Sequence, residues 1–263
     1  AEEGDQLTLA THLIWAVDPI MTRASAARLR GAIGAVYAEV EADPAFRALG
    51  TAMGDAVTDR DTGRLYVYEP QHAPGERRPA AVFLHGSGGS WKGYFHGQVA
   101  LARARRMGVV QPSFGFGDWH REGGLAAIER ARRWAVSQPW VDPSRVYLVC
   151  LSNGGRGVTR VMRSGPARYA GVVFVSAVIE PQVLDAAPLD PSWRRVPVLV
   201  VHGGRDDRIP VSYLDESVAA LRDQRLTVSQ TVLADEDHYL IFTARDALRA
   251  TTAAGLDDVE GAR

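Results

Sequence analysis

Apolar residues recur at helical spacing in the first part of this chain and in short unbroken runs through the rest. Leu29, Ile33, Val36, Tyr37 and Val40 fall on one face of a helix. Asp43-Pro44 has the form of a helix start, with Phe46, Leu49 and Met53 apolar behind it and Gly54 as its stop. From Arg64 the period changes. Residues 65–68 and 80–84 predict strands, separated by a Pro/Gly/Arg-rich loop over 71–79.

Beyond that loop, short and mostly apolar runs at 109–112, 145–151, 171–176 and 196–202 predict strands, and 226–233 reads as a last strand. Helical patterns at 123–137, 153–163, 211–222 and 240–250 lie between and after them. Strands that are apolar throughout, rather than alternating, are buried on both faces. With regular βα alternation they predict a mostly parallel sheet covered by helices on both sides. The expected organisation is a helical extension over 1–60 and one α/β domain over 61–263.

Composition narrows the function classes. The chain has 263 residues, a formal charge of −1 and 46% hydrophobic residues, and needs no second domain to build a core. Its positive charge is almost entirely arginine, with Lys92 the only lysine, and no basic patch points to nucleic acid. Apolar runs such as 170–179 are too short for a membrane span. Cys150 is the only cysteine, which excludes an internal disulfide. No HExxH or CxxC pattern is present, so neither a metal nor a cofactor is expected. The start at Ala1-Glu2-Glu3-Gly4, without methionine, is read as that of a mature secreted or periplasmic protein.

Candidate chemistry gathers where strands end, which is where open parallel sheets hold their ligands. The run from Val146 stops at Ser152 and turns into Asn153-Gly154-Gly155. A strand ending in small-x-Ser-x-Gly is a turn so tight that the residues two before and two after the serine must be small; it lifts the hydroxyl clear of the sheet. Cys150 takes the first small position, where glycine is usual. A serine hydroxyl needs a base to take its proton and a group to orient that base. Downstream, one strand runs into Gly203-Gly204-Arg205-Asp206-Asp207-Arg208-Ile209-Pro210. A later one runs into Ala234-Asp235-Glu236-Asp237-His238. Two aspartates, Asp206 and Asp207, compete for the orienting role. Among histidines, His238 follows the last strand, whereas His96 and His120 lie near candidate pocket loops. His12, His72 and His202 sit in the N-terminal segment, a loop and a strand end. The trio Asp235, Glu236 and Asp237 is read as a solvated face.

The order serine, aspartate, histidine, each after a strand, resembles the α/β-hydrolases. With Trp140-Val141-Asp142-Pro143-Ser144-Arg145 before the serine and Ser-Asn-Gly-Gly at it, the chain is similar to the dienelactone-hydrolase, feruloyl-esterase and polyhydroxyalkanoate-depolymerase-like esterases. Prolyl-oligopeptidase-like catalytic domains share the same features. The resemblance covers the chain from about Arg64 onward. It implies an α/β-hydrolase fold and a serine esterase with a small-molecule ester as substrate. The family's G-x-x-D-x-x-[VI]-P pattern is matched by Gly203, Asp206, Ile209 and Pro210, which implies Asp206 as the acid. His238 is then the base. The oxyanion donors are implied to be the amides of Asn153 and of Ser87, with Gly88 second, in the turn Leu84-His85-Gly86-Ser87-Gly88-Gly89; His85 is implied to be structural.

Trp91 and Trp119 follow loops near the site and are expected to line its wall. Cys150 reads as a buried small residue. The interval 178–195 is short and broken by Pro181, Pro188 and Pro191, so no large lid is expected there. That leaves an open, shallow site suited to short acyl or compact aromatic esters. Two rival readings stand beside this one, a peptidase and a non-catalytic binding protein on the same fold. The peptidases usually carry a β-propeller ahead of the hydrolase domain; the roughly sixty residues before the first strand here read as helices, which counts against that reading.

Overall fold

The computed structural model describes residues 3–17, 20–58 and 61–261; Ala1, Glu2 and the side chains of His12 and Met53 lie outside the described residues. Three helices come first, α1 (Glu3–Val17), α2 (Arg23–Ala42) and α3 (Pro44–Arg47). The expected face of α2 is buried, with Ala26 added to the five predicted residues. Asp43 starts α3 by accepting the Ala45 amide at 2.9 Å, and Pro44 occupies the first turn, where its missing N–H costs nothing. This helix is only four residues long. Gly54 is not its stop but lies inside a separate 3-10 turn, Met53–Val57.

The body alternates β1 (Asp61–Tyr68), β2 (Arg78–Leu84), α4 (Lys92–Ala104), β3 (Gly108–Phe114), α5 (Gly124–Ser137), β4 (Val141–Leu151) and α6 (Gly154–Arg163). It continues with β5 (Gly171–Val175), α7 (Pro181–Leu184), β6 (Val198–Gly203), α8 (Val211–Asp223), β7 (Val228–Leu233), α9 (Leu240–Thr243) and α10 (Arg245–Gly261). The strands form one seven-stranded sheet in the order β1-β3-β2-β4-β5-β6-β7. Only the edge strand β1 is antiparallel, against β3; the remaining pairs are parallel. Helix α4 was not expected from the sequence. It holds Gly93 and Gly97 and opens at Trp91 with no side-chain cap, so the usual start signal is missing.

Strand β4 explains the unbroken apolar runs. Val146, Leu148 and Cys150 enter a core beneath α5, α6 and α8. Tyr147, Val149 and Leu151 enter a second core on the opposite face. Successive side chains of a strand point to opposite faces, and here both faces are dry. The second core also contains Leu7 of α1, the buried face of α2, Phe46 of α3 and residues of α4, α9 and α10. The N-terminal helices thus share a core with the sheet. Among the described residues, no helix is long and apolar enough to cross a membrane.

Candidate active site

Ser152 sits one residue past β4 with φ of 49°, in the left-handed region that costs a non-glycine residue roughly 1–3 kcal/mol. Three hydrogen bonds hold it there. Its amide donates to Val175 O at 3.1 Å, and its carbonyl accepts from Gly155 and Val178 at 3.0 and 2.9 Å. The turn closes because its flanks are small. A Cβ on Gly154 would stand 2.4 Å from Leu84 O and 3.1 Å from the Cβ of Cys150. Cysteine is therefore compact enough for the first small position. Burial raises the Cys150 thiol pKa well above its ordinary value, which leaves it an inert packing group.

Ser152 Oγ lies 3.0 Å from His238 Nε2, and His238 Nδ1 lies 2.8 Å from Asp206 Oδ2. A carboxylate can only accept, so Nδ1 carries the proton and Nε2 is left to receive one from the serine. The second oxygen, Asp206 Oδ1, accepts the amides of Arg208 and Ile209 at 3.0 and 2.8 Å. Burial alone would raise the Asp206 carboxyl. Hydrogen bonds from His238 and Ile209, with the nearby imidazoles, outweigh it and hold the group below the usual carboxylate range. Asp207 is a different kind of residue: its side chain is 52% exposed and lies 3.9 Å from Arg208. The loops bearing Asp206 and His238 press together at Gly203, where a Cβ would lie 2.6 Å from the carbonyls of Glu236 and Asp237. That contact gives the glycine of the G-x-x-D pattern its physical reason.

The residues after His85 form the turn opposite Ser152. The Gly88 amide is engaged with Phe116 O at 2.9 Å. Among the described residues, the amides of Ser87 and Asn153 have no acceptor, and both residues line the cavity with Ser152. His85 is fully buried; its Nδ1 donates to Gly86 O at 2.8 Å and its Nε2 accepts the Phe114 amide at 3.2 Å. Burial lowers its pKa to about 4, so the ring stays neutral and supports the turn.

Two expectations need correction. Trp119 does not line the cavity. It is wholly buried behind the turn, donating Nε1–H to His85 O at 2.9 Å and stacking on Phe114. Its place after a loop gave no hint of which side of the turn it would occupy. The site is also not shallow. Ser152 and His238 open into a cavity of about 780 Å³. The short 178–195 interval indeed carries only α7 and a 3-10 turn, Pro191–Arg195, but part of the wall comes from Leu7, Ala10 and Thr11 of α1 and Leu29 and Ile33 of α2. Trp91 does line the cavity, stacked on Tyr94 at 4.8 Å, and Tyr94 stacks on Phe242 at 5.4 Å.

The acidic trio before His238 is not a uniform solvated face. Asp235 is exposed and pairs with Arg205, whereas Asp237 accepts Arg28 of α2 at 2.6 Å and the Tyr239 amide at 2.9 Å. Of the competing histidines, His96 sits beside Glu39 at 3.9 Å and His120 is 3.5 Å from Arg156, whereas His202 is buried against the acid, its Nε2 2.8 Å from Ile209 O and 3.5 Å from Asp206 Oδ2. Among the described residues, no cluster of three histidine, cysteine or acidic side chains could hold a metal ion. The N-terminal wall residues and Phe242 were not anticipated. Leu29 and Ile33 were legible as an apolar face, but periodicity does not say what a face covers.

No family model matches the sequence. A protein of Nocardia uniformis subsp. tsuyamanensis named "Putative esterase NocK" is 28% identical over 204 residues, covering 70% of this chain. The chain spans little more than half of that relative, 56% of its length. Among solved structures, the butyrate-bound Thermogutta terrifontis esterase Est2 superposes with a TM-score of 0.58 at 16% identity, over 75% of this chain and 88% of that one. The acylaminoacyl peptidase of Pyrococcus horikoshii gives 0.57 at 14% identity, over 74% of this chain and 39% of that one. With its strand order and the turn at Ser152, this chain has the α/β-hydrolase fold.

Proposed function

We propose that this chain is a carboxylic ester hydrolase that works through an acyl-enzyme on Ser152. Ser152 Oγ attacks the acyl carbonyl while His238 Nε2 takes its proton. The C–O bond to the alcohol then breaks, and the imidazolium returns the proton to the departing alkoxide. Water attacks the acyl-serine in the same way, with His238 as base, and releases the acid. Asp206 orients the imidazole and balances its transient charge. The amides of Ser87 and Asn153 receive the oxyanion, each worth about 3 kcal/mol in the transition state of such reactions.

One observation carries this reading: the unbroken chain Ser152–His238–Asp206 at 3.0 and 2.8 Å, with two unengaged amides beside it. Of the short acyl and compact aromatic esters to which the sequence points, the cavity favours the aromatic. Its volume falls within the range of drug-sized ligand sites, and the Trp91–Tyr94–Phe242 ladder offers flat apolar faces. A panel of p-nitrophenyl esters, thioesters and peptide anilides, run on wild type and Ser152→Ala, tests the reading. Esters should be cleaved fastest, and Ser152→Ala should be inactive toward them. Anilide cleavage at rates equal to ester cleavage would favour a peptidase. Ester turnover that survives Ser152→Ala would end the serine mechanism.

A further inference from the structure

The first turn of α4 shows where the N-terminal helices are fastened. The Glu3 side chain is almost wholly buried. Its Oε1 accepts the Lys92 amide at 2.6 Å and the Tyr37 hydroxyl, and its Oε2 accepts the Thr51 hydroxyl at 2.7 Å. Tyr37 in turn accepts the Gly93 amide at 3.2 Å. Helix α4 has no capping side chain of its own, and two of its orphan first-turn amides, those of Lys92 and Gly93, are met by a carboxylate from α1 and a hydroxyl from α2. The fit is close on both sides of the Tyr37 ring, where a Cβ on Gly4 or on Gly93 would lie 3.0 Å from it. One turn further along α1, Leu7, and two turns further, Ala10 and Thr11, face the cavity that holds Ser152. The same cavity is lined by Trp91 and Tyr94, at the start of the capped helix α4.

We propose that α1, fastened by Glu3 across the N-terminus of α4, is the specificity-determining wall of the site. It sets the size of the ring-bearing apolar group that the cavity accepts. Glu3 touches no reacting atom and acts as a positioning residue; Ala10 is the point where the wall can be moved inward. The inference rests on the ester-hydrolase reading for its kinetic form but not for the existence of the wall.

The test compares kcat/KM for p-nitrophenyl benzoate and p-nitrophenyl acetate in wild type, Ala10→Trp, Glu3→Ala and Glu3→Gln. Ala10 is only half-buried, so the larger side chain enters the cavity without entering the core. Ala10→Trp should lower the benzoate-to-acetate ratio at least tenfold. Glu3→Ala should raise KM for benzoate at least fivefold more than KM for acetate. Glu3→Gln should recover part of that shift, because its amide oxygen still accepts one N–H. A purely structural Glu3 would instead lower both substrates alike, together with the melting temperature.

Binding of the fluorophore 1-anilinonaphthalene-8-sulfonate to Ser152→Ala, with and without Ala10→Trp, reads the wall without turnover. If wild type cleaves no ester but Ala10→Trp abolishes dye binding, the esterase reading fails and the wall stands. Ratios within threefold of wild type in all three variants, with dye binding unchanged by Ala10→Trp, would overturn it.

Discussion

Replacing Asp206 by asparagine changes one heavy atom and should abolish the proposed ester hydrolysis, and the hydrogen bonds around the carboxylate say why. Oδ1 accepts two backbone amides, Arg208 at 3.0 Å and Ile209 at 2.8 Å, while Oδ2 accepts His238 Nδ1–H at 2.8 Å. In the variant, the carboxamide oxygen must stay on the two amides. Turning the NH2 group toward them would strand donors at about 1–3 kcal/mol apiece. The NH2 group is thereby aimed at His238 Nδ1, which must become the acceptor. The ring proton moves to Nε2, the atom that has to receive the Ser152 proton, and a loss of about 10⁴-fold in kcat follows for a wrong tautomer of this kind. Asp207→Asn removes only a half-exposed charge 3.9 Å from Arg208, a surface pair worth about 0–1 kcal/mol, so its kcat/KM should stay within about tenfold of wild type. Steady-state hydrolysis of p-nitrophenyl acetate by both variants, with near-wild-type melting as the check on folding, decides the matter. A greater loss in Asp207→Asn than in Asp206→Asn would refute the assignment of the acid.

Further outcomes follow from the same geometry. Gly154→Ala should cost about 1–3 kcal/mol, because its Cβ would meet Leu84 O at 2.4 Å, and should lower Tm by roughly 2–9 °C as well as activity; an unchanged Tm would mean the turn can open. The depressed pKa of His85, about 4 against an ordinary 6.5, means that the unfolded chain binds more protons than the folded one between those values. Stability should therefore fall as pH drops through that window, by roughly 2 kcal/mol from this residue at pH 5, and burial of His202 acts in the same direction. Calorimetry at pH 7.5 and 5 checks this, and a flat Tm would contradict it. The depressed carboxyl of Asp206 contributes separately: its stabilisation is complete above the ordinary aspartate value and is lost only as pH falls below about 4.

The parallel sheet was legible because residues such as Val146 to Leu151 are apolar at every position, a pattern that only a strand covered on both faces sustains. Ser152 and Asp206 stood out as candidates because each follows such a run, and His238 because it follows the last strand, although that strand, Val228–Leu233, carries Ser229, Gln230 and Thr231 and is only partly buried. The flanking residues Gly154 and Gly203 carried further signal, since both mark close approaches of backbone. Helix α4 was not legible. Its amides are capped by Glu3 and Tyr37, distant in sequence, and two glycines depress its propensity. The cavity was misjudged because the short interval between β5 and β6 reads as leaving the site open, while part of its wall comes from helices that precede the sheet. Trp91 and Trp119 look alike in sequence, each after a glycine-rich loop. Only the fold turns one into the cavity and the other behind His85.

The central claim is that Ser152 is the nucleophile of a covalent mechanism. Its most direct test is peptide mass mapping after exposure of the intact protein to a fluorophosphonate. The account predicts one phosphonyl group per chain, on the peptide bearing Ser152, and none on Ser152→Ala or on heat-denatured protein. An adduct on any other residue, or a folded wild-type protein that takes up no label, would contradict it.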